Sequence, residues 1–247
     1  MSRRILGLRG GSPRLSLRER AVAVAVAGGD PDFASVVLLL DFDGADGGTN
    51  ITDLSNSGHV DTFVADAQID TALPFLGENS LLLDGTGDWI TFPDSDDWDF
   101  GTADFTIELG FRPTVADAVE GIITTWDAGS VGWFLQYRAN TNTLLFKHGG
   151  ANIVSLTVAL ALDTFHHIAV ARSGTDFRVF IDGVQIGSTV TDSTDFTGGL
   201  AVLTLGVLRV STAQQPLNGS IGAVRITKGV ARYTANFTPL SVFYPTS

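Results

Sequence analysis

The stretch FHHIAVARSGTDFRVFIDGVQIGS, residues 165–188, decides how the chain is read. Val, Ile and Phe alternate with small or polar residues in three short runs, a period of two that turns one side of each run inward and the other outward. Ser173, Gly174, Thr175 and Asp176 separate the first run from the second. Asp182-Gly183 separates the second from the third, and this pair tolerates the positive φ of a two-residue hairpin turn. The stretch therefore predicts an antiparallel meander.

The rest of the chain has the same texture. Val36–Phe42 predicts a central strand, and Leu81–Asp84 with Trp89–Phe92 predicts a hairpin around Gly85, Thr86 and Gly87. Further strands are expected over Phe105–Phe111, Gly121–Trp126, Val131–Arg138, Thr143–Lys147, Leu203–Val207 and Ile221–Thr227. Only Pro113–Val119 has room for a short helix. Many short strands with regular turn signals argue for a sandwich or barrel rather than a parallel α/β sheet.

Five segments carry a resemblance. Phe165–Val170 and Phe177–Gly183 are similar to the WHHVAV and RLYVDG signatures of laminin-G-like, concanavalin-A-like domains. The segments SLLLDGTGDWITF (80–92), FGTADFTIELGF (100–111) and LNGSIGAVRITKGVARYTANFTP (217–239) resemble that family in the right order. The resemblance implies an all-β fold, a two-sheet antiparallel jelly-roll sandwich. We expect the sandwich over residues 36–247 and an extended N-terminal arm over residues 1–35.

Composition sets bounds. The chain has 247 residues, 44% of them hydrophobic, no cysteine and a formal charge of -12. That excludes a disulfide framework and thiolate chemistry, and no apolar run reaches the ~18 residues of a membrane span. Residues 1–30 hold Arg3, Arg4, Arg9, Arg14, Arg18 and Arg20 against Glu19 and Asp30, a net +4, so the remainder carries -16. An acidic body disfavours nucleic acid and anionic membranes. The basic leader reads either as an anchoring arm or as a solvated tail, and its Ala-Val run, Ala21–Ala27, also resembles the apolar part of a secretory signal.

Candidate sites are few. His166 and His167 are adjacent on a strand, so their rings point to opposite faces and cannot share one ion; the family pattern makes them structural. Asp41, Asp43 and Asp46 form a turn whose oxygens calcium would accept, but the spacing is not that of an EF-hand. Related domains commonly place calcium ligands where the family writes Ile-Asp-Glu, and this chain has Ile221-Gly222-Ala223, which disfavours a structural calcium; no cofactor is expected. Trp133, Leu135 and Tyr137 share one strand parity and are assigned to the core. Phe134, Gln136 and Arg138 take the other, and with Trp126 and His148 they form the candidate glycan-binding set, rings for sugar C–H faces and polar groups for hydroxyls.

Glu78, Glu108 and Glu120 are isolated, and neither the E-x-D-x-x-E strand of sandwich glycoside hydrolases nor a nucleophile elbow is present. We therefore expect a non-enzymatic protein. The Ile226–Thr234 ending resembles laminin-G-like domains common in tailed-bacteriophage and bacterial proteins. The expected role is a multi-copy virion surface protein, a fibre or decoration protein, anchored to capsid or tail proteins by its arginine arm and displaying a lectin-like sandwich to host polysaccharide. The alternative is a secreted, extracellular bacterial carbohydrate-binding or adhesin module, processed near Ala27.

Overall fold

The computed structural model describes residues 29–126, 132–197, 202–208 and 215–246. The arginines of the leader, Arg3 to Arg20, lie outside the described residues. Two antiparallel sheets stack into a jelly-roll sandwich, with 3₁₀ turns of three residues in place of α-helices among the described residues. No helix there is long and apolar enough to cross a membrane.

Sheet A takes β1 (Val36–Leu40), β3 (Gln68–Phe75), β4 (Glu78–Asp84), β6 (Phe105–Pro113), β11 (His166–Ser173), β12 (Asp176–Ile181), β13 (Val184–Thr191) and β15 (Asn218–Lys228). Its order is β13-β12-β11-β6-β15-β4-β3, with β1 paired to β15 beyond the end of β4. Sheet B takes β2 (Thr62–Val64), β5 (Trp89–Phe92), β7 (Val119–Thr124), β8 (Trp133–Arg138), β9 (Thr143–His148), β10 (Ala151–Thr157) and β14 (Leu203–Leu205), in the order β10-β9-β8-β7-β14-β5-β2.

The meander is present as expected: β11, β12 and β13 are consecutive neighbours at one end of sheet A. Asp182 and Gly183 both have positive φ, +50° and +78°, as a two-residue turn of the primed type requires. Alternate residues of each strand fill the space between the sheets: Ile168 and Val170, Phe177 and Val179, Ile107 and Leu109, Val224 and Ile226 from sheet A meet Trp133, Leu135, Tyr137, Ile90 and Phe146 from sheet B.

Three expectations are corrected. Residues 81–92 do not form a hairpin, because β4 pairs with β3 and β15 while β5 pairs with β2 and β14, so the Gly85–Gly87 loop carries the chain from one sheet to the other. Residues 114–118 are turn rather than helix, since β6 runs through Pro113 and β7 begins at Val119. β1 is not central, as it pairs only with β15; its two-sided apolar character has another cause. Leu38 and Leu40 enter the main core, whereas Val36 and Leu39 lie on the outer face of sheet A under Phe33, Leu240, Phe243 and Tyr244.

The outer face of sheet A is thus covered. Ala169, Ala171 and Phe180 pack there beneath Tyr233 and Phe237 of the segment after β15. The two rings stack with centroids 3.6 Å apart.

Candidate lectin-like surface

The outer face of sheet B is built from three cross-strand rows. Thr124, Phe134, Lys147 and Asn152 form the first; Gly121, Gln136, Leu145 and Ser155 the second; Val119, Arg138, Thr143 and Thr157 the third. Directly paired residues on neighbouring strands share a face, so each row projects to the same side. None of these side chains is acidic, in a chain with 27 Asp and Glu. Along β10 the row members Asn152, Ser155 and Thr157 are exposed, and Lys147, Thr143 and Arg138 are half-buried. Trp126 continues from β7 on the same side, half-buried, its ring centroid 5.7 Å from that of Phe134. The Lys147 ammonium stands 5.6 Å from the Phe134 centroid.

The five residues chosen from sequence are not brought together. Phe134, Gln136 and Arg138 do face out of the sandwich, and Trp133, Leu135 and Tyr137 do face in. Facing out does not make them accessible: Phe134 is 5% and Gln136 1% exposed. Gln136 donates through Nε2 to Gln215 Oε1, and its own Oε1 accepts from Arg138 Nε at 2.8 Å. A Cβ on Gly121 would strike the Leu208 backbone, which shows how closely the chain crosses this part of the sheet. His148 belongs to the other side. It pairs with Trp133, shares its inward face, and lies against Phe196 with centroids 4.5 Å apart. Burial holds its pKa below the ordinary value, although Asp195, Asp192 and Asp99 act in the opposite direction.

Sequence reading missed Lys147, Asn152, Ser155 and Thr157. The signal for the first was present: pairing Arg138 with Thr143 across a four-residue connection forces Phe134 onto Lys147 and Trp133 onto His148. β10 alternates polar and apolar residues only in part, because its ladder with β9 slips between Asn152 and Val154.

A model of the family described as "Concanavalin A-like lectin/glucanases superfamily" (Laminin_G_3) matches residues 84–232. The chain belongs to the concanavalin A-like lectin/glucanase superfamily. No curated protein matches it. Among solved structures, this superfamily member is similar to the binding domain of Paraclostridial Mosquitocidal Protein 1, with a TM-score of 0.60 and 13% identity over 80% of this chain and 50% of that one. It is likewise similar to a botulinum neurotoxin type C structure whose cell entry depends on two ganglioside molecules, with a TM-score of 0.59 and 15% identity over 80% and 49%. Domain 4 of AbnA, an extracellular arabinanase of Geobacillus stearothermophilus, in complex with arabinotriose, gives 0.54 and 17% over 80% and 94%. The chain spans about half the length of the two toxin chains. At these identities the likeness is one of fold.

The opposite, covered face of this concanavalin A-like sandwich holds a buried ion network. Glu108 Oε1 accepts from Arg225 Nε at 2.8 Å, and its Oε2 accepts from Tyr233 Oη at 2.8 Å and lies 3.1 Å from His167 Nε2. Burial alone would raise the Glu108 pKa, but the Arg225 guanidinium, helped by His167 and Tyr233, outweighs it and holds the carboxyl at about 2. Asp30 closes the network with Arg225 at 3.2 Å and Arg232 at 2.8 Å. Arg225 also stands 4.1 Å over the Tyr244 ring. A cavity of about 250 Å³ opens beside these groups, lined in part by Asp30, Arg225, Arg232, Tyr233 and Phe237. His166 takes a different partner from its neighbour, with Nδ1 3.0 Å from Asp182 Oδ2. The described start of the leader is therefore fastened to the sandwich, Asp30 being 8% exposed.

The calcium positions considered from sequence do not assemble. Asp41 accepts the backbone N–H of Asp43, and Asp46 accepts both the N–H and the hydroxyl of Thr71, which is turn chemistry. Ala223 packs with Val36, Leu39, Phe75 and Tyr244 and offers no carboxylate.

Proposed function

We propose that this chain is a non-catalytic binding module that holds acidic polysaccharide on the outer face of sheet B. The observation that supports the reading is the run of acid-free rows: Arg138 and Lys147 supply positive charge, Asn152, Ser155, Thr143 and Thr157 supply short hydrogen-bonding groups, and Trp126 supplies a flat ring at the border. Sugar hydroxyls need such donors and acceptors, a sugar ring needs an aromatic plane, and uronate or sulfate groups need the cations. Beyond the basic leader the rest of the chain carries a strong negative surplus, which would repel the same ligand, so within the sandwich this face is the one suited to it. The glycan and ganglioside connections of the arabinanase domain and the neurotoxin make carbohydrate the first ligand class to try.

The finer reading is a fibre or decoration protein on the surface of a tailed-phage virion. Asp30, where the basic leader joins the sandwich, sits on the outer side of sheet A, and the acid-free rows sit on the outer side of sheet B. An arm fixed to a particle at one side would leave the other side turned toward the host, and many weak copies would act together.

Affinity electrophoresis of the full chain through gels containing alginate or neutral dextran tests the binding half. Alginate should retard the protein, less so as salt rises, and dextran should not. Arg138→Glu with Lys147→Glu should cut the retardation sharply, and Lys147→Glu alone, at a side chain partly in solvent, should cut it in part while leaving the melting temperature in place. Equal migration of wild type and variant in alginate would refute the assignment. For the location, a map of the intact particle should place residues 1–28 against a capsid or tail protein; a natural chain that begins near Gly28 by intact mass would favour the secreted module instead.

A further inference from the structure

The chain crosses between the sheets twice at one corner of the sandwich. β2 and β5 are neighbours in sheet B, β3 and β4 are neighbours in sheet A, and the β2–β3 and β4–β5 connections run side by side. Asp66 lies in the first connection, Asp84 ends β4, and Asp88 precedes β5. One carboxylate oxygen from each lies within 4.8 Å of the other two. Among the described residues no ion pair with a basic side chain involves any of the three.

Three neighbouring acids on exposed loops would by themselves signify nothing. The second observation concerns Asp88, which is only 1% exposed. Its Oδ2 accepts the Asp84 N–H at 2.6 Å, whereas its Oδ1, sealed from solvent, has no hydrogen-bond partner. A buried carboxylate oxygen beside two further carboxylates, with no donor to meet it, lacks a positive group.

We infer that Asp66, Asp84 and Asp88 bind a calcium ion that ties the two sheet crossings together. The donor set is oxygen only, without histidine or cysteine, which suits a hard cation. Calcium rather than magnesium follows from the source of the ligands: three carboxylates drawn from two separate connections suit a large ion of flexible coordination better than a small one demanding a rigid octahedron. The two positive charges of the ion would offset most of the negative charge of the three carboxylates, the buried Asp88 among them. The location differs from the position of Gly222, which pairs with Ser80 on β4, whereas Asp84 pairs with Asn218 at the strand's other end.

Terbium luminescence on the full chain, stripped with EDTA, tests the site, because Trp89 directly follows Asp88 and serves as the sensitising ring. Emission excited through tryptophan should saturate, should be displaced by calcium at ~1 mM or below, and should resist the same concentration of magnesium. Calcium should raise the melting temperature over that in EDTA. Asp66→Ala, at an exposed position, should weaken terbium binding by about tenfold or more without lowering the melting temperature in EDTA. Asp88→Asn, which keeps an acceptor for the Asp84 N–H, should remove both binding and the calcium-dependent shift. No saturable emission from the wild type, or an unchanged affinity in Asp66→Ala, would overturn the proposal. An Asp88→Asn protein that still shows the full calcium shift would overturn it as well.

Discussion

Glu120 shows how a single buried group can oppose the fold. It lies within the sandwich, 0% exposed, accepting only the Asn218 N–H through Oε1 at 3.1 Å, with Oε2 lacking a partner. Burial raises its pKa to about 7 against that one lowering contact. In the unfolded chain the group ionises near its ordinary value, 4.5. Below that pH both states hold the proton and the group is neutral toward stability. As pH climbs toward 7 the unfolded state gives up its proton first, so the folded state loses ground, by about 3 kcal/mol once both are ionised. Glu120→Gln keeps the acceptor and removes the charge. Urea unfolding should show little change at pH 4 and a gain of up to ~3 kcal/mol at pH 8; an equal gain at both would mean that packing, not ionisation, separates the two proteins.

At the scale of elements, the β12–β13 turn and the segment after β15 stand or fall together. Gly183 has φ +78°, and a Cβ there would meet the Phe237 carbonyl oxygen, the group next to which the turn is docked through the Phe237 N–H to Gly183 O bond of 2.9 Å. Gly183→Ala therefore strains the turn and also lifts Phe237 off Phe180 and His167, whose rings lie 5.4 and 5.7 Å from it. A loss of ~2 kcal/mol or more in chemical unfolding is expected, against about 1 for a left-handed alanine without the clash. The turn itself was legible, because Asp182-Gly183 and the period-two runs on either side are local chemistry. So was the inward set on β8, which follows from parity alone. What could not be read was the covering of outward faces. Gln136 is sealed by Leu208 and Gln215, more than 70 residues further along the chain, and Leu39 by Tyr244. Such cover depends on where loops cross the sheets, which periodicity does not encode. The supposed hairpin at residues 81–92 fails for a related reason. A Gly-Thr-Gly turn permits a tight reversal, but the buried Asp88 and the pairing of β5 with β14 take the chain into the other layer.

For the molecule as a whole, two glutamates set opposite limits on pH. Glu108, held at about 2 despite burial by Arg225 on β15, His167 on β11 and Tyr233 beyond β15, with Asp30 and Arg232 completing the network, stabilises the fold above its ordinary pKa of 4.5. That contribution, about 3 kcal/mol, drains away as pH falls from there toward 2. The Glu120 penalty grows over the neighbouring interval, from about 4.5 to 7. The two windows meet rather than overlap, so neither masks the other. Net charge acts in the same sense on the alkaline side, because -12 at pH 7 implies self-repulsion that weakens as carboxylates take up protons. The melting temperature of dilute protein, scanned from pH 3 to 9 at constant ionic strength with EDTA present to leave metal out, should peak near pH ~5 and fall on both sides. Glu120→Gln should broaden the peak toward alkaline pH, and Glu108→Gln, which leaves Arg225 short of a counter-charge, should lower the whole curve and flatten its acid limb. A wild-type maximum at or above pH 7 would mean that the Glu120 carboxyl is ionised in the fold at little cost, and with it would go the claim that this end of the sandwich is sealed from water.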